Sequence, residues 1–208
     1  DDTRTRTCAD WCSEQLLPLL AALSAEHRGF LGEDFGRSGD LTVMWPVVLE
    51  QALVRRTPFV VELRNVPFRE QEQILCFICD RLPRFSGAAL DARGNGQYLA
   101  ERARQRYGTD AIAQVMLSEG WYREHMPPVK AALEDGTLDG LPRDGDVLAD
   151  LRAVQVIKGV PRIPETRTTG EDKGKRHGDA AVAVALAYFA SREINKGPVT
   201  VKSRRRRT

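Results

Sequence analysis

The amino-acid sequence predicts a mixed α/β fold. One central sheet begins as an antiparallel hairpin, continues as parallel βα units and carries helices on its faces. Three observations lead there. The stretch Phe30–Trp45, FLGEDFGRSGDLTVMW, sets two β-prone runs on either side of Gly36-Arg37-Ser38-Gly39, the pattern of a β-hairpin. Downstream, short apolar runs alternate with stretches of helical spacing, as strands do with crossover helices. No stretch repeats another, so the 208 residues read as a chain built around one core.

Taken in order, residues 1–28 read as a helical approach segment, with Trp11, Leu16, Leu17, Leu19, Leu20 and Leu23 on one apolar side and Pro18 starting or interrupting the helix. After the hairpin, Thr57–Val66 is a third strand, stopped by Pro67. Phe68–Leu82 has helical spacing, with Ile74, Leu75, Ile78 and Leu82 on one side. Gly87–Asp91 is a short apolar strand, and the loop 92–96 leads to a helix over Gln97–Tyr107, closed by Gly108. Ala111–Leu117 reads as a strand and Trp121–Glu134 as a helix that Pro127-Pro128 must break or restart. One or two helical turns over Val147–Arg152 precede a strand over Ala153–Val160 and a long polar loop over Pro161–Gly178. The clearest helix is Asp179–Glu193. The domain proper then spans 29–194, and residues 195–208, which include Arg204–Arg207, read as a basic, disordered tail.

Composition excludes several classes. A hydrophobic content of 42% with 29% charged residues suits a water-soluble core, and no run approaches the roughly 18 apolar residues of a membrane span. A net charge of +2 does not by itself identify a nucleic-acid partner. Cys76/Cys79 lie in an apolar, helix-like run and read as buried thiols rather than as a zinc site, the Cys8/Cys12 spacing is loose for zinc, and a chain of this size reads as a protein of a reducing compartment without a disulfide framework. The chain opens on Asp1 without Met or signal peptide and reads as a fragment of a longer protein.

Three carboxylates stand out. Asp34 interrupts a β-prone run, and on a two-residue period it shares a face with Phe30, Gly32 and Gly36. A buried strand Asp needs a partner or a cation, and glycines beside it leave room for a metal with a phosphate; the competing role is a cap on the turn that follows. Asp91 ends the fourth strand beside a Gly-Asn-Gly loop, at the strand end where open α/β sheets bind ligands, or else it simply forms the turn. Asp179 heads the last helix, at the top of the stripe Val182, Leu186 and Phe189; a cap complementing the helix dipole is the plainer role. Carboxylates crowd together ionised only around a cation. All-oxygen ligation favours Mg²⁺ or Mn²⁺, and a pair of such ions is a device for phosphoryl transfer.

Other residues are candidates for supporting roles. Asp40 opens the second hairpin strand, facing either the same site or the turn, and His177 is placed to orient water or shuttle a proton unless it is a plain loop histidine. Arg37, Arg93, Arg167, Lys173, Lys175 and Arg176 are the candidates for holding phosphates of a DNA backbone, against the alternative of a solvated mixed-charge loop. Glu62 reads as a surface residue or an outer-shell ligand, while Glu70 and Glu72 open a helix where acidic residues are expected anyway.

The segments DFGRSGDLTV, LDARGNGQYLAE and KRHGDAAVAVALAYFAS together resemble the nuclease domain of phage terminase large subunits, of the Mu-like prophage type, over most of residues 29–194. The resemblance implies an RNase H-like fold and an endonuclease with two metal ions, Mg²⁺ or Mn²⁺, that hydrolyses phosphodiester bonds of double-stranded viral DNA during packaging. It places the acidic cluster on Asp34, Asp91 and Asp179. It also implies a packaging ATPase N-terminal to this region, partners in the portal or procapsid and the small terminase subunit, and the cytoplasm of an infected or lysogenic bacterium as the site of action. Two other functions fit the same residues: an RNase H-like resolvase or integrase acting on branched DNA, and a non-catalytic DNA-binding and docking module whose carboxylates serve as caps.

Overall fold

The computed structural model describes residues 2–36, 41–164, 168–171 and 174–194, with side chains described from residue 6 onward. Arg37, Asp40, Arg167, Lys173 and the tail 195–208 lie outside the described residues.

Strand β1 (Arg28–Asp34) occupies the middle of a seven-stranded sheet. It runs antiparallel to β2 (Leu41–Leu49) and parallel to β5 (Gly87–Asp91), which is parallel to β6 (Ile112–Val115). On the far side β2 pairs antiparallel with β3 (Arg55–Arg56) and β4 (Val61–Arg64), and β3 pairs in parallel with β7 (Leu138–Asp139). The expected strand over 57–66 is therefore shortened to β4, and neither β3, just before it, nor the edge strand β7 had a sequence signal. The mixed sheet and flanking helices otherwise match the expected class.

Strand alternation divides the core in two. Phe30, Val43, Trp45, Val47 and Ala89 point to one face, and Leu31, Met44, Ala88 and Leu90 to the other. The second face is covered by α3 (Phe68–Cys79) and α4 (Gly96–Tyr107). Cys8, Cys12, Leu16 and Leu20 of the N-terminal helical segment, which comprises α1 (Asp2–Trp11) and α2 (Leu17–Ala21), extend this core against α3. These four residues recur every fourth position, a spacing that drifts around a 3.6-residue helix; a π-helical turn over Cys12–Leu16 unwinds the segment and keeps them on one side. Trp11, Leu17 and Leu19, expected on the same side, are exposed as a result. All four cysteines are free.

The first face is covered by α7 (Asp179–Glu193), which α5 (Glu119–Glu134) and α6 (Gly145–Arg152) enclose from outside. A helix covered on several sides cannot be amphipathic, which explains why eight successive residues, Ala180 to Ala187, are all buried. Their small side chains let α7 approach β1 closely. A Cβ on Gly32 would stand 2.2 Å from both the Ala183 carbonyl oxygen and the Ala187 nitrogen. The space beside Gly32, expected to accommodate ions, is filled by helix backbone.

Two local expectations are corrected. Helix α5 runs unbroken through Pro127 and Pro128, because the carbonyls they leave without donors belong to Arg123 and Glu124, which are exposed and open to water. The expected strand over 153–160 is instead a hairpin separate from the main sheet, β8 (Gln155–Ile157) and β9 (Val160–Arg162). Its turn residues, Lys158 and Gly159, both have positive φ (50° and 78°), the geometry of a two-residue hairpin turn. A second small hairpin, β10 (Thr168–Thr169) and β11 (Lys175–Arg176), lies within the long polar loop.

Candidate active site

Parallel strands β1 and β5 finish at the same edge of the sheet, with Asp34 and Asp91 as their last residues. Both side chains fall on the face covered by α7, whose first residue is Asp179. The backbone reaches that helix through Gly178, which has φ +71° and stands where a Cβ would press within 3.0 Å of three Ile163 side-chain carbons. Only glycine meets both demands. Asp34, Asp91 and Asp179 are 7%, 4% and 8% exposed and line one cleft of about 330 Å³ with Arg93, Tyr122, Arg162, His177 and Glu119. The three carboxylates singled out in the sequence therefore converge.

Their electrostatics differ. Burial, reinforced by the charges of Asp179, Asp91 and Glu33, holds the Asp34 carboxyl well above the usual range. Among the described residues no hydrogen-bond donor reaches it. Burial also raises Asp179, and the amide of His177, which donates to Asp179 Oδ2 at 3.0 Å, partly offsets the rise. Asp91 is already engaged. Its Oδ1 accepts the backbone N–H and Nε of Arg93, both at 3.0 Å, and its Oδ2 accepts Nη2 at 3.0 Å. Asp91 thus serves as turn former and cleft carboxylate together.

The supporting candidates separate. Arg93 is in the cleft, about half exposed, and His177 lines its wall. Lys175 is exposed on β11. Arg176, expected to contact DNA, is 3% exposed, with its guanidinium against Asp150 and Glu62. Burial there removes it from any backbone-binding surface. Arg37, Asp40, Arg167 and Lys173 lie outside the described residues. Glu62 faces Arg176, and Glu72 accepts Arg102 on α4 at 3.0 Å.

Several cleft residues carried no sequence signal. Tyr122 sits in the first turns of α5 with its hydroxyl pKa raised by burial. Arg162 on β9 donates to Glu119 at 2.8 Å. Outside the cleft, Glu33, next to Asp34 but pointing to the opposite face, also carried no signal; it is fully buried, neither carboxylate oxygen has a hydrogen-bond partner among the described residues, and burial holds its carboxyl well above the usual range. A larger groove of about 1170 Å³ runs between α3 and α4, but two of its arginines are already paired, Arg102 with Glu72 and Arg106 with Asp80.

The cleft suits a divalent cation: a carboxylate without a donor among the described residues, pushed toward protonation by burial and by the carboxylates around it, is relieved by a positive charge. Asp34, Asp91 and Asp179 are the residues that would hold it. Among the described residues no three potential ligand side chains are gathered tightly enough to hold an ion alone. That is compatible with Mg²⁺, which is usually bound by one or two carboxylates and keeps several waters.

The fold is shared with solved domains. The magnesium-bound large terminase nuclease of thermophilic phage G20c superposes with TM-score 0.58 at 18% identity, over 78% of this chain and 81% of that one. The zinc-bound form gives 0.57 at 19%, over 79% and 82%. The large terminase nuclease domain of Thermus phage P74-26 gives 0.55 at 17%, over 79% and 80%. This is the RNase H-like fold of large-terminase nuclease domains.

Sequence relatives narrow the class. The chain is 50% identical over 183 residues to the Escherichia phage Mu protein named "Probable terminase, large subunit gp28". It is 44% identical over 191 residues to the Mu-like prophage FluMu protein gp28 of Haemophilus influenzae. Those matches cover 88% and 92% of this chain but 33% and 37% of the relatives, so the chain spans about a third of their length. No protein-family profile matches. Over this region the chain is a homologue of the Mu-like terminase large subunits, and its fold is the one seen in the solved large-terminase nuclease domains.

Proposed function

We propose that this domain is a Mg²⁺- or Mn²⁺-dependent endonuclease that hydrolyses phosphodiester bonds of double-stranded DNA, with Asp34, Asp91 and Asp179 as the metal-holding residues. One observation carries the reading: three carboxylates from two parallel strand ends and a helix start share a single cleft, and Asp34 is destabilised there by both of the others. A pair of hard cations, when bound, supplies charge stabilisation for an in-line displacement and lowers the pKa of attacking water. The chain's own residues orient what enters. Exposed Lys175 and half-exposed Arg93 meet the phosphate backbone, and His177 stands beside Asp179 to position water. In a complete terminase large subunit, such a nuclease would act with a packaging ATPase, a small terminase subunit and the portal or procapsid, in the cytoplasm of the bacterial host.

The test is plasmid nicking in Mn²⁺ by the wild-type domain and by Asp179→Ala. Loss of at least ~100-fold is expected for removal of a group that acts on the transition state. Equal nicking by both proteins would overturn the assignment. Including a four-way junction as a second substrate separates packaging cleavage from branched-DNA resolution; a strong junction preference would favour the latter.

A further inference from the structure

We propose that Arg176, held between Glu62 and Asp150, is a positioning residue that sets Asp179 in the cleft, a role that rests on Asp179 being a metal-holding residue. Helix α7 begins without a side-chain cap of its own, because its N-cap residue is Gly178. A helix start leaves backbone N–H groups in need of partners. Asp150, on α6, fills that place from a distance: its Oδ2 accepts the Ala180 N–H at 3.1 Å. The same carboxylate receives the Arg176 guanidinium, with Nη2 to Oδ2 at 2.7 Å and Nε to both oxygens at 3.3 and 3.2 Å. On its other side Arg176 grips Glu62 of β4, Nη1 to Oε2 at 2.9 Å and Nη2 to Oε1 at 2.6 Å.

Both sides of the fork are in use. Arg176 thus fastens the chain immediately before Asp179 to the sheet through Glu62 and to α6 through Asp150, while Asp150 also fixes the residue immediately after Asp179. Asp150 is 1% exposed and Arg176 3%, so water does not compete for the bonds between them, whereas the Glu62 side chain is about a third exposed. One turn earlier on α6, Asp146 Oδ2 accepts the Glu171 N–H at 2.9 Å and holds the loop that leads in. The backbone on either side of Asp179 is therefore held to α6, and the carboxylate is aimed without being touched by the residues that aim it. A planar, two-sided fork is required: a lysine at 176 would carry the charge but present a single point to two carboxylates.

The test is the Mn²⁺ affinity of Arg176→Lys by titration calorimetry, alongside wild type. A 10- to 100-fold weaker affinity is expected, the range for groups that orient metal ligands. Nicking by the variant should recover toward the wild-type rate as Mn²⁺ is raised to saturation, which a general loss of structure would not permit. If circular dichroism shows that Arg176→Lys does not fold, Glu62→Gln, on the more exposed side of the fork, takes its place and should still weaken Mn²⁺ binding several-fold. Wild-type affinity in whichever folded variant is measured overturns the positioning role alone. Failure of the wild-type domain itself to bind Mn²⁺ overturns the reading of Asp179, and the positioning role with it.

Discussion

Replacing Gly32 by alanine tests how the cleft is built. The added Cβ would lie 2.2 Å from the Ala183 oxygen and the Ala187 nitrogen, where ordinary contact begins near 3.4 Å. Both atoms are helix backbone, so no side chain can swing away, and α7 must retreat from β1 by about 1 Å. Overpacking of this kind costs about 1–3 kcal/mol. In a domain of this size that corresponds to a fall of roughly 2–12 °C in Tm. Because Asp179 is carried on the same helix, the retreat also separates it from Asp34, and a misplacement of about 1 Å can lower a rate by ~100-fold. Thermal unfolding followed by circular dichroism, with plasmid nicking in Mn²⁺ on the same preparation, measures both effects. If Gly32 instead served to leave room for ions, alanine would alter metal binding and spare stability. An unchanged Tm would therefore refute the close-packing account.

Two further outcomes follow from the charges. Glu33 has a folded-state pKa raised by burial and by Asp91, so the folded protein binds more protons than the unfolded one and stability falls as pH rises above the ordinary glutamate range. Glu33→Gln should flatten that fall by up to about 1.4 kcal/mol per pH unit in metal-free urea titrations, and an unaltered slope would show that Glu33 does not titrate on unfolding. Divalent metal should stabilise the domain by relieving Asp34: at about 100 times Kd, Mn²⁺ adds about 2.7 kcal/mol, or roughly 5–10 °C in Tm. Asp34→Asn should abolish most of that shift, and an equal shift in the variant would place the ion elsewhere.

The acidic cluster was readable because each member breaks a local rule: Asp34 in a β-prone run, Asp91 closing an apolar strand ahead of glycines, and Asp179 at the head of a buried stripe rather than a solvated one. Alternation along β1 and small residues along α7 likewise made the central layers legible. Arg176 was misplaced for a physical reason. Its partners lie 26 and 114 positions away, and a mixed-charge loop gives no local sign that one of its arginines is buried. Gly32 is ambiguous in the same way, since a strand glycine looks alike whether ligand or helix backbone fills the space beside it. Hairpin β8–β9 reads as one strand in sequence because a Lys-Gly turn resembles continued strand until its dihedral angles are known.

The helix that closes over Gly32 follows every strand of the main sheet in chain order, and so leaves the ribosome after them. Strand ends carrying Asp34 and Asp91 can form while α7 is still unsynthesised, yet Asp179 then has not arrived. On the proposed reading, a nascent or truncated chain holds only a partial metal site and leaves the apolar face of β1, β2 and β5 uncovered, a natural target for chaperones and proteases. Synthesis of α7 would thus act as a safety catch, keeping nucleolytic power away from DNA until the whole domain has closed.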